Sequence, residues 1–269
     1  MIHNNRNRTG LLVVSLIGIV VGCLFANVSS LSSVSRLTMS LKDSSCNKQA
    51  QKIFRGQTIL LTGASGGLGR SLALQLAHCG ATRIILSGRN QEALEQVADE
   101  CKSIHPTITT HVILADLGSP QSVQELAIKA LAATSGRVDI LINNGGVSSR
   151  SRFLDTKLQV DETLLQINFL AGAALAKAMI PGMVERGYGK LIWVSSVQGL
   201  MGIPNRTSYA ASKFAVQGYC EALRGEVATS GITVHVASPG YIRTNLSLSA
   251  MTGDGRPHGV MDKATATGT

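Results

Sequence analysis

Tyr209 and Lys213 stand four residues apart in the segment Ser208-Tyr209-Ala210-Ala211-Ser212-Lys213, and Ser196 follows the apolar run Leu191-Ile192-Trp193-Val194 a short way upstream. Residues at i and i+4 share one face of a helix, so a helix here would set an ammonium beside a phenol. The ammonium favours the phenolate and lowers the phenol pKa from its usual value of about 10 toward neutrality. A tyrosine tuned in this way passes a proton to or from a substrate oxygen. A serine hydroxyl close by steadies the charge that develops on that oxygen. Most tyrosine–lysine pairs at this spacing are plain surface neighbours, so the weight of the pattern rests on what surrounds it.

The elements that must position these residues are readable from hydrophobic patterning. Short apolar runs at 58–62, 83–86, 111–114, 138–143, 190–194 and 233–237 read as strands. The segments 91–104, 120–133, 161–186 and 208–230 read as helices, as does the pattern Leu72, Leu76, Cys79 after the first strand. Ser119 is placed as an N-cap with Pro120 in the first turn, and Pro181 is expected to kink or break its helix. Short strands alternating with longer helices predict an α/β, doubly wound, mostly parallel sheet with helices on both faces. A ligand then sits at the carboxyl edge of the strands, where each candidate residue falls.

At the first of those edges lies Thr62-Gly63-Ala64-Ser65-Gly66-Gly67-Leu68-Gly69, between a strand and a helix. Glycines there let the backbone approach a pyrophosphate, and the helix N-terminus meets its charge. Gly63, Ser65, Gly67, Leu68 and Gly69 are therefore candidate cofactor-binding residues. The second strand runs into Ser87-Gly88-Arg89, with no carboxylate to take a ribose 2′-hydroxyl and an arginine able to fork a 2′-phosphate, which points to NADP(H). Asp116, after the third strand, is placed to accept from the adenine amino group, or alternatively to cap a helix. Asn143-Asn144-Gly145-Gly146 ends the fourth strand and leaves room for the adenosine half.

The chain has 269 residues, a net charge of +9, 44% hydrophobic and 4% aromatic residues. A core is affordable, whereas few aromatics and no long Lys/Arg run argue against a nucleic-acid surface, a reading that rests on net charge alone. The five cysteines, Cys23, Cys46, Cys79, Cys101 and Cys220, show no metal spacing and read as reduced structural thiols. Residues 11–26 are apolar and uncharged, and 9–31 is long enough to span a bilayer, with Arg6 and Arg8 ahead of it. We read 1–31 as a retained membrane anchor, 32–52 as a Ser-rich stalk and 53–269 as the cofactor-binding domain. The positive-inside rule keeps Arg6 and Arg8 cytosolic and sends the domain across, although Arg36 and Lys42 weaken that signal.

Taken together, these motifs resemble the short-chain dehydrogenase/reductase family over residues 53–246. Thr62-Gly63-x-x-x-Gly67-x-Gly69 is similar to its nucleotide loop, and Asn143-Asn144-Gly145-Gly146 to its Asn-Asn-Ala-Gly, with Gly145 in place of Ala. The resemblance implies a Rossmann-type fold and assigns Ser196, Tyr209, Lys213 and Asn168 as the catalytic set. On that assignment Ser196 binds the substrate carbonyl, Tyr209 is the proton donor, Lys213 holds the nicotinamide ribose and tunes Tyr209, and the Asn168 amide fixes a relay water. Pro239-Gly240-Tyr241-Ile242-x-Thr244 resembles the segment that holds the nicotinamide carboxamide, adding Pro239, Gly240, Ile242 and Thr244 to the cofactor residues.

The segments 238–247 and 259–262, with the N-terminal anchor, look like a membrane-bound branch of the family found at the endoplasmic reticulum or peroxisome. That branch implies a lipophilic substrate, such as acyl- or alkyl-dihydroxyacetone phosphate, and steroids or retinoids are alternatives. Leu248 and Met251 suit an apolar ligand, and Arg206 and Arg243 are candidates for meeting a substrate phosphate. Family domains continue into a further helix and a seventh strand, whereas this sequence stops at Thr269 with six. A membrane-tethered, NADP-binding partner without turnover is therefore the competing expectation, and the short C-terminus weakens the case for a homo-oligomer.

Overall fold

The computed structural model describes residues 46, 48–242, 244–262 and 266. The expected anchor and Arg243 lie outside them. Six strands, β1 (Thr58–Thr62), β2 (Arg83–Gly88), β3 (Thr109–Leu114), β4 (Ile140–Asn143), β5 (Gly189–Val194) and β6 (Ile232–Ala237), form one sheet in the order β3-β2-β1-β4-β5-β6. Every pairing is parallel. The order reverses between β1 and β4, where Leu61 pairs with Ile142. Chains leaving these two strands turn to opposite faces and open a crevice at their carboxyl ends.

Parallel strands covered on both faces read as unbroken apolar runs, and all five residues of β1 are buried. Alternate side chains point to opposite faces. Ile59 and Leu61 join Ile84 and Leu86 under α2 (Gly67–His78) and α3 (Gln91–Ile104). Leu60 joins Ile85, Leu141 and Trp193 under α4 (Pro120–Ala133), α6 (Ala171–Arg186) and α7 (Thr207–Glu226). The expected N-cap holds: Ser119 accepts from the backbone N–H of Ser122 at 3.2 Å, with Pro120 in the first turn.

The structure corrects four expectations. Residues 48–52, read as stalk, belong to helix α1 (Lys48–Phe54), which buries Ala50 and Phe54 in the core. Cys46 and Cys79 are not free thiols but form a disulfide with a Cα–Cα distance of 5.2 Å, whereas Cys101 and Cys220 are buried and reduced. The expected helix 161–186 starts earlier, as α5 (Leu158–Leu165), and passes through a π-helical turn (Gln166–Leu170) into α6. Pro181 does not end it: the proline lies on the exposed face, where the Lys177 carbonyl that it deprives can turn to water. The span Leu158–Arg186 is long and apolar enough to cross a membrane by length and composition, yet Leu164, Leu175, Met179 and Met183 are buried in the protein core.

Candidate active site

At Gly63 and Gly69 the Gly-rich turn after β1 is closed by contacts that admit no side chain. Gly63 has φ +66°, and a Cβ there would lie 2.7 Å from Gly145 Cα. A Cβ on Gly69 would lie 1.9 Å from the Gly63 carbonyl oxygen. Asn144 pins the turn from the β4 side, its Nδ2 donating to the carbonyls of Thr62 at 3.0 Å and Gly63 at 3.2 Å. At Gly145, which replaces the family's alanine, a Cβ would lie 2.5 Å from Leu117 Cδ1, so leucine occupies the space that a methyl group would need.

A cavity of about 400 Å3 runs from this turn to Tyr209. Gly63, Ser65, Gly67, Leu68, Gly69, Arg89, Asp116, Pro239, Gly240, Ile242 and Thr244 all line it, as do Ser196, Tyr209 and Lys213. Arg89 is exposed at the end of β2 and makes no ion pair among the described residues. Asp116 accepts from the backbone N–H of Gly118 at 2.9 Å and keeps its second carboxylate oxygen free of any described partner. Asn143 departs from expectation: it is buried behind the cavity with its Nδ2 on the Gly172 carbonyl at 3.4 Å, and Asn144 takes the lining position. A nicotinamide dinucleotide fits these residues, because the pinned glycine turn offers a cradle of accessible backbone at one end and the Ser196–Tyr209 pair lies at the other.

The catalytic candidates converge from three elements. Ser196 follows β5, and its loop is tied to the one after β6 by the Val197 N–H donating to the Pro239 carbonyl at 3.0 Å. Tyr209 and Lys213 are buried on α7. Burial raises the Tyr209 pKa, and three influences oppose it: a hydrogen bond with Ser196 and the charges of Arg150 and Arg206. The Lys213 pKa is lowered to about 8 by burial, and its Nζ donates to the Val194 carbonyl at 2.9 Å while lying 5.7 Å from the centroid of the Tyr209 ring. The adjacent Ser195 is set apart from Ser196, because its Oγ donates to the Lys213 carbonyl at 3.3 Å.

Asn168 lies in the π-helical turn, behind the cavity wall. Its Oδ1 accepts from Val147 N at 2.8 Å, and its Nδ2 donates to Val147 O and Ser212 Oγ, both at 2.9 Å. The side-chain amide therefore fixes the β4 loop against α7. π turns inside α-helices are frequent at functional sites, and this one carries the amide that joins the β4 loop to α7.

The substrate side contains residues that the sequence did not single out. Arg150 and Ser247 line the cavity beside Arg206. Both arginines bind Asp262, Arg150 through Nη2 at 2.5 Å and Arg206 through Nη2 at 3.3 Å. Hydrogen bonds from Arg150 and Ser247 hold the Asp262 carboxyl at a pKa of about 2. Arg206 is thus already paired rather than waiting for a phosphate. Met251 packs on Val160, Leu164 and Tyr209, and Leu248 is not part of the cavity wall. Sequence order gives little sign of the Arg150–Asp262 pair, whose members are 112 positions apart.

A family model described as short chain dehydrogenase matches residues 57–253. Dehydrogenase/reductase SDR family member 7B of Bos taurus is 43% identical over 218 residues, covering 80% of this chain and 66% of the relative. Dehydrogenase/reductase SDR family protein 7-like of Drosophila melanogaster is 44% identical over 226 residues, covering 82% and 68%. The chain thus spans about two thirds of the length of these curated relatives. Among solved structures, a short-chain dehydrogenase from Sphingobium yanoikuyae in complex with NADPH superposes with a TM-score of 0.66 at 29% identity, covering 71% of this chain and 73% of that one. A short-chain dehydrogenase from Streptomyces avermitilis gives 0.65 at 33% identity, with 71% and 68% covered.

Proposed function

The chain belongs to the short-chain dehydrogenase family, and from that premise we propose that it is an NADP(H)-dependent oxidoreductase interconverting a carbonyl and an alcohol on a lipophilic substrate. The observation that carries this reading is the single cavity lined at one end by the pinned glycine turn and at the other by Ser196, Tyr209 and Lys213. When bound, the nicotinamide supplies the hydride, and the protein orients and polarises. Ser196 holds the substrate oxygen, and Tyr209 gives it the proton as the carbon is reduced, leaving an alcohol. Lys213, with a pKa of about 8, is poised to hand protons on near neutral pH and would hold the nicotinamide ribose hydroxyls. Arg89, exposed and without an ion pair among the described residues, would take a 2′-phosphate, and the sequence Ser87-Gly88-Arg89, with no carboxylate at the end of β2, supports NADP(H) over NAD(H).

Val147, Val197, Ile242 and Leu246 contribute apolar wall to the cavity, which suits a lipophilic carbonyl; a steroid, a retinoid or an acyl- or alkyl-dihydroxyacetone phosphate are the candidate classes. The apolar N-terminal sequence supports attachment to the membrane of the endoplasmic reticulum or peroxisome. The Cys46–Cys79 bridge favours an oxidising compartment, as the reticulum lumen is. The full chain in detergent, given NADPH and a panel of such carbonyls, is expected to oxidise NADPH faster than NADH. Protein that binds NADPH yet reduces no member of the panel refutes the reading.

A further inference from the structure

We propose that Asn205, in the turn that opens α7, carries an N-linked glycan attached in an oxidising lumen. The proposal rests on the reading that the Cys46–Cys79 bridge sets the domain in such a compartment. Asparagine followed two positions later by serine or threonine, with no proline between, is the acceptor signal for this modification. Asn7-Arg8-Thr9 and Asn27-Val28-Ser29 carry the signal in and just ahead of the apolar N-terminal stretch. Asn205-Arg206-Thr207 and Asn245-Leu246-Ser247 carry it in the domain, and both of these asparagines are exposed.

The fold presents the two domain triplets differently. Asn205 has φ +63°. Its carbonyl accepts from the Ser151 N–H at 3.2 Å, so the backbone of the turn is docked on the loop after β4 while the residue stays exposed. Asparagine tolerates a left-handed backbone better than most residues, which accounts for Asn205 taken alone. It does not account for the hydroxyl two positions on. Thr207 is exposed, and the N-cap position of α7 belongs to Arg206, so Thr207 is not there to cap the helix. Asn205 is not part of the cavity wall, and a sugar on it extends into solvent. Asn245 does line the cavity, and Ser247 is buried with its Oγ on Asp262 at 2.9 Å. A glycan there would rise from the cavity wall, so the geometry singles out Asn205. In the transfer, the Asn205 side-chain nitrogen bonds to the anomeric carbon of an oligosaccharide carried on a lipid pyrophosphate. The bond from that carbon to the pyrophosphate oxygen breaks, the lipid pyrophosphate leaves, and the nitrogen loses one proton. Nothing is oxidised or reduced.

The test changes Thr207 rather than Asn205, so that the left-handed turn keeps its asparagine. Thr207→Ala removes the acceptor signal, and Thr207→Ser keeps it. The full chain is synthesised in the presence of sealed reticulum microsomes and run on a gel with and without peptide N-glycosidase. Wild type and Thr207→Ser are expected to show a slower band that the glycosidase collapses, and Thr207→Ala to lose that band. The glycosidase converts a glycosylated asparagine to aspartate, so the peptide that contains Asn205 should show the corresponding change in mass. A slower band that persists unchanged in Thr207→Ala, or a peptide in which Asn205 is unconverted, overturns the proposal. Protease added outside the sealed vesicles tells the two ways of failing apart. A domain that is protected but bears no glycan at Asn205 sinks the proposal and leaves the oxidising compartment standing, whereas a domain that is digested sinks both. Carbonyl reduction is read separately, by turnover, and stands or falls on its own.

Discussion

The Lys213 ammonium lies 5.7 Å from the centroid of the Tyr209 ring while donating to the carbonyl of Val194, on the strand that leads to Ser196. The helical i, i+4 spacing does bring the two residues together, but burial depresses the lysine pKa to about 8. Its charged form is disfavoured by the fold, so between about pH 8 and the ordinary lysine value of 10.5 the unfolded chain binds more protons than the native one. Unfolding free energy should rise with pH across that window and gain nothing from this group below it. Denaturant melts at stepped pH check this: Lys213→Met is expected to flatten the rise, and an equal rise in the variant would contradict the assignment.

The glycine turn predicts a contrast between two alanine substitutions. A Cβ at Gly69 meets the Gly63 carbonyl oxygen, whereas one at Gly66 meets nothing within 4 Å. Overpacking against backbone costs roughly 1–3 kcal/mol. Gly69→Ala should lower Tm and weaken NADPH binding at least tenfold, while Gly66→Ala leaves Tm within a degree or so. Thermal melts and fluorescence titration of NADPH separate them.

Much of this arrangement was legible beforehand, for physical reasons that differ by residue. The strands declare themselves because fully buried parallel strands must be apolar throughout, as Thr58–Thr62 is. The glycine turn and the Ser196, Tyr209, Lys213 set declare themselves by local spacing. The π-helical turn around Asn168 does not, because one extra residue in a helical turn leaves the hydrophobic pattern nearly intact. The Arg150–Asp262 pair and the Cys46–Cys79 bridge depend on where distant loops land, which no local periodicity encodes. The helix continues through Pro181, which lies on the solvent face where water can take the carbonyl that the proline leaves without its donor.

Arg89 predicts cofactor choice. A charge-assisted hydrogen bond contributes about 1.5–3 kcal/mol, and Arg89 is solvent-exposed, so Arg89→Gln should raise the NADPH Kd about tenfold and leave NADH binding nearly unchanged. Equal effects on the two cofactors would show that Arg89 does not contact the 2′-phosphate.

The disulfide predicts a stability difference between oxidised and reduced protein. Its two cysteines are 33 positions apart, and closing a loop of that length in the unfolded chain contributes about 3–4 kcal/mol by chain entropy. Cys46→Ser should melt lower than the oxidised wild type and match the wild type treated with reductant. Identical melts for oxidised wild type and Cys46→Ser would contradict a formed bridge.

The central claim is that Tyr209 delivers the proton in a cavity that binds the dinucleotide independently of it. Single-turnover oxidation of bound NADPH by a lipophilic carbonyl, compared between wild type and Tyr209→Phe alongside the NADPH Kd of each, tests it most directly. Loss of a positioned general acid costs about 10²–10⁴-fold, so the variant should slow by that factor while its Kd stays within a few-fold of wild type. An unchanged rate in Tyr209→Phe would contradict the account.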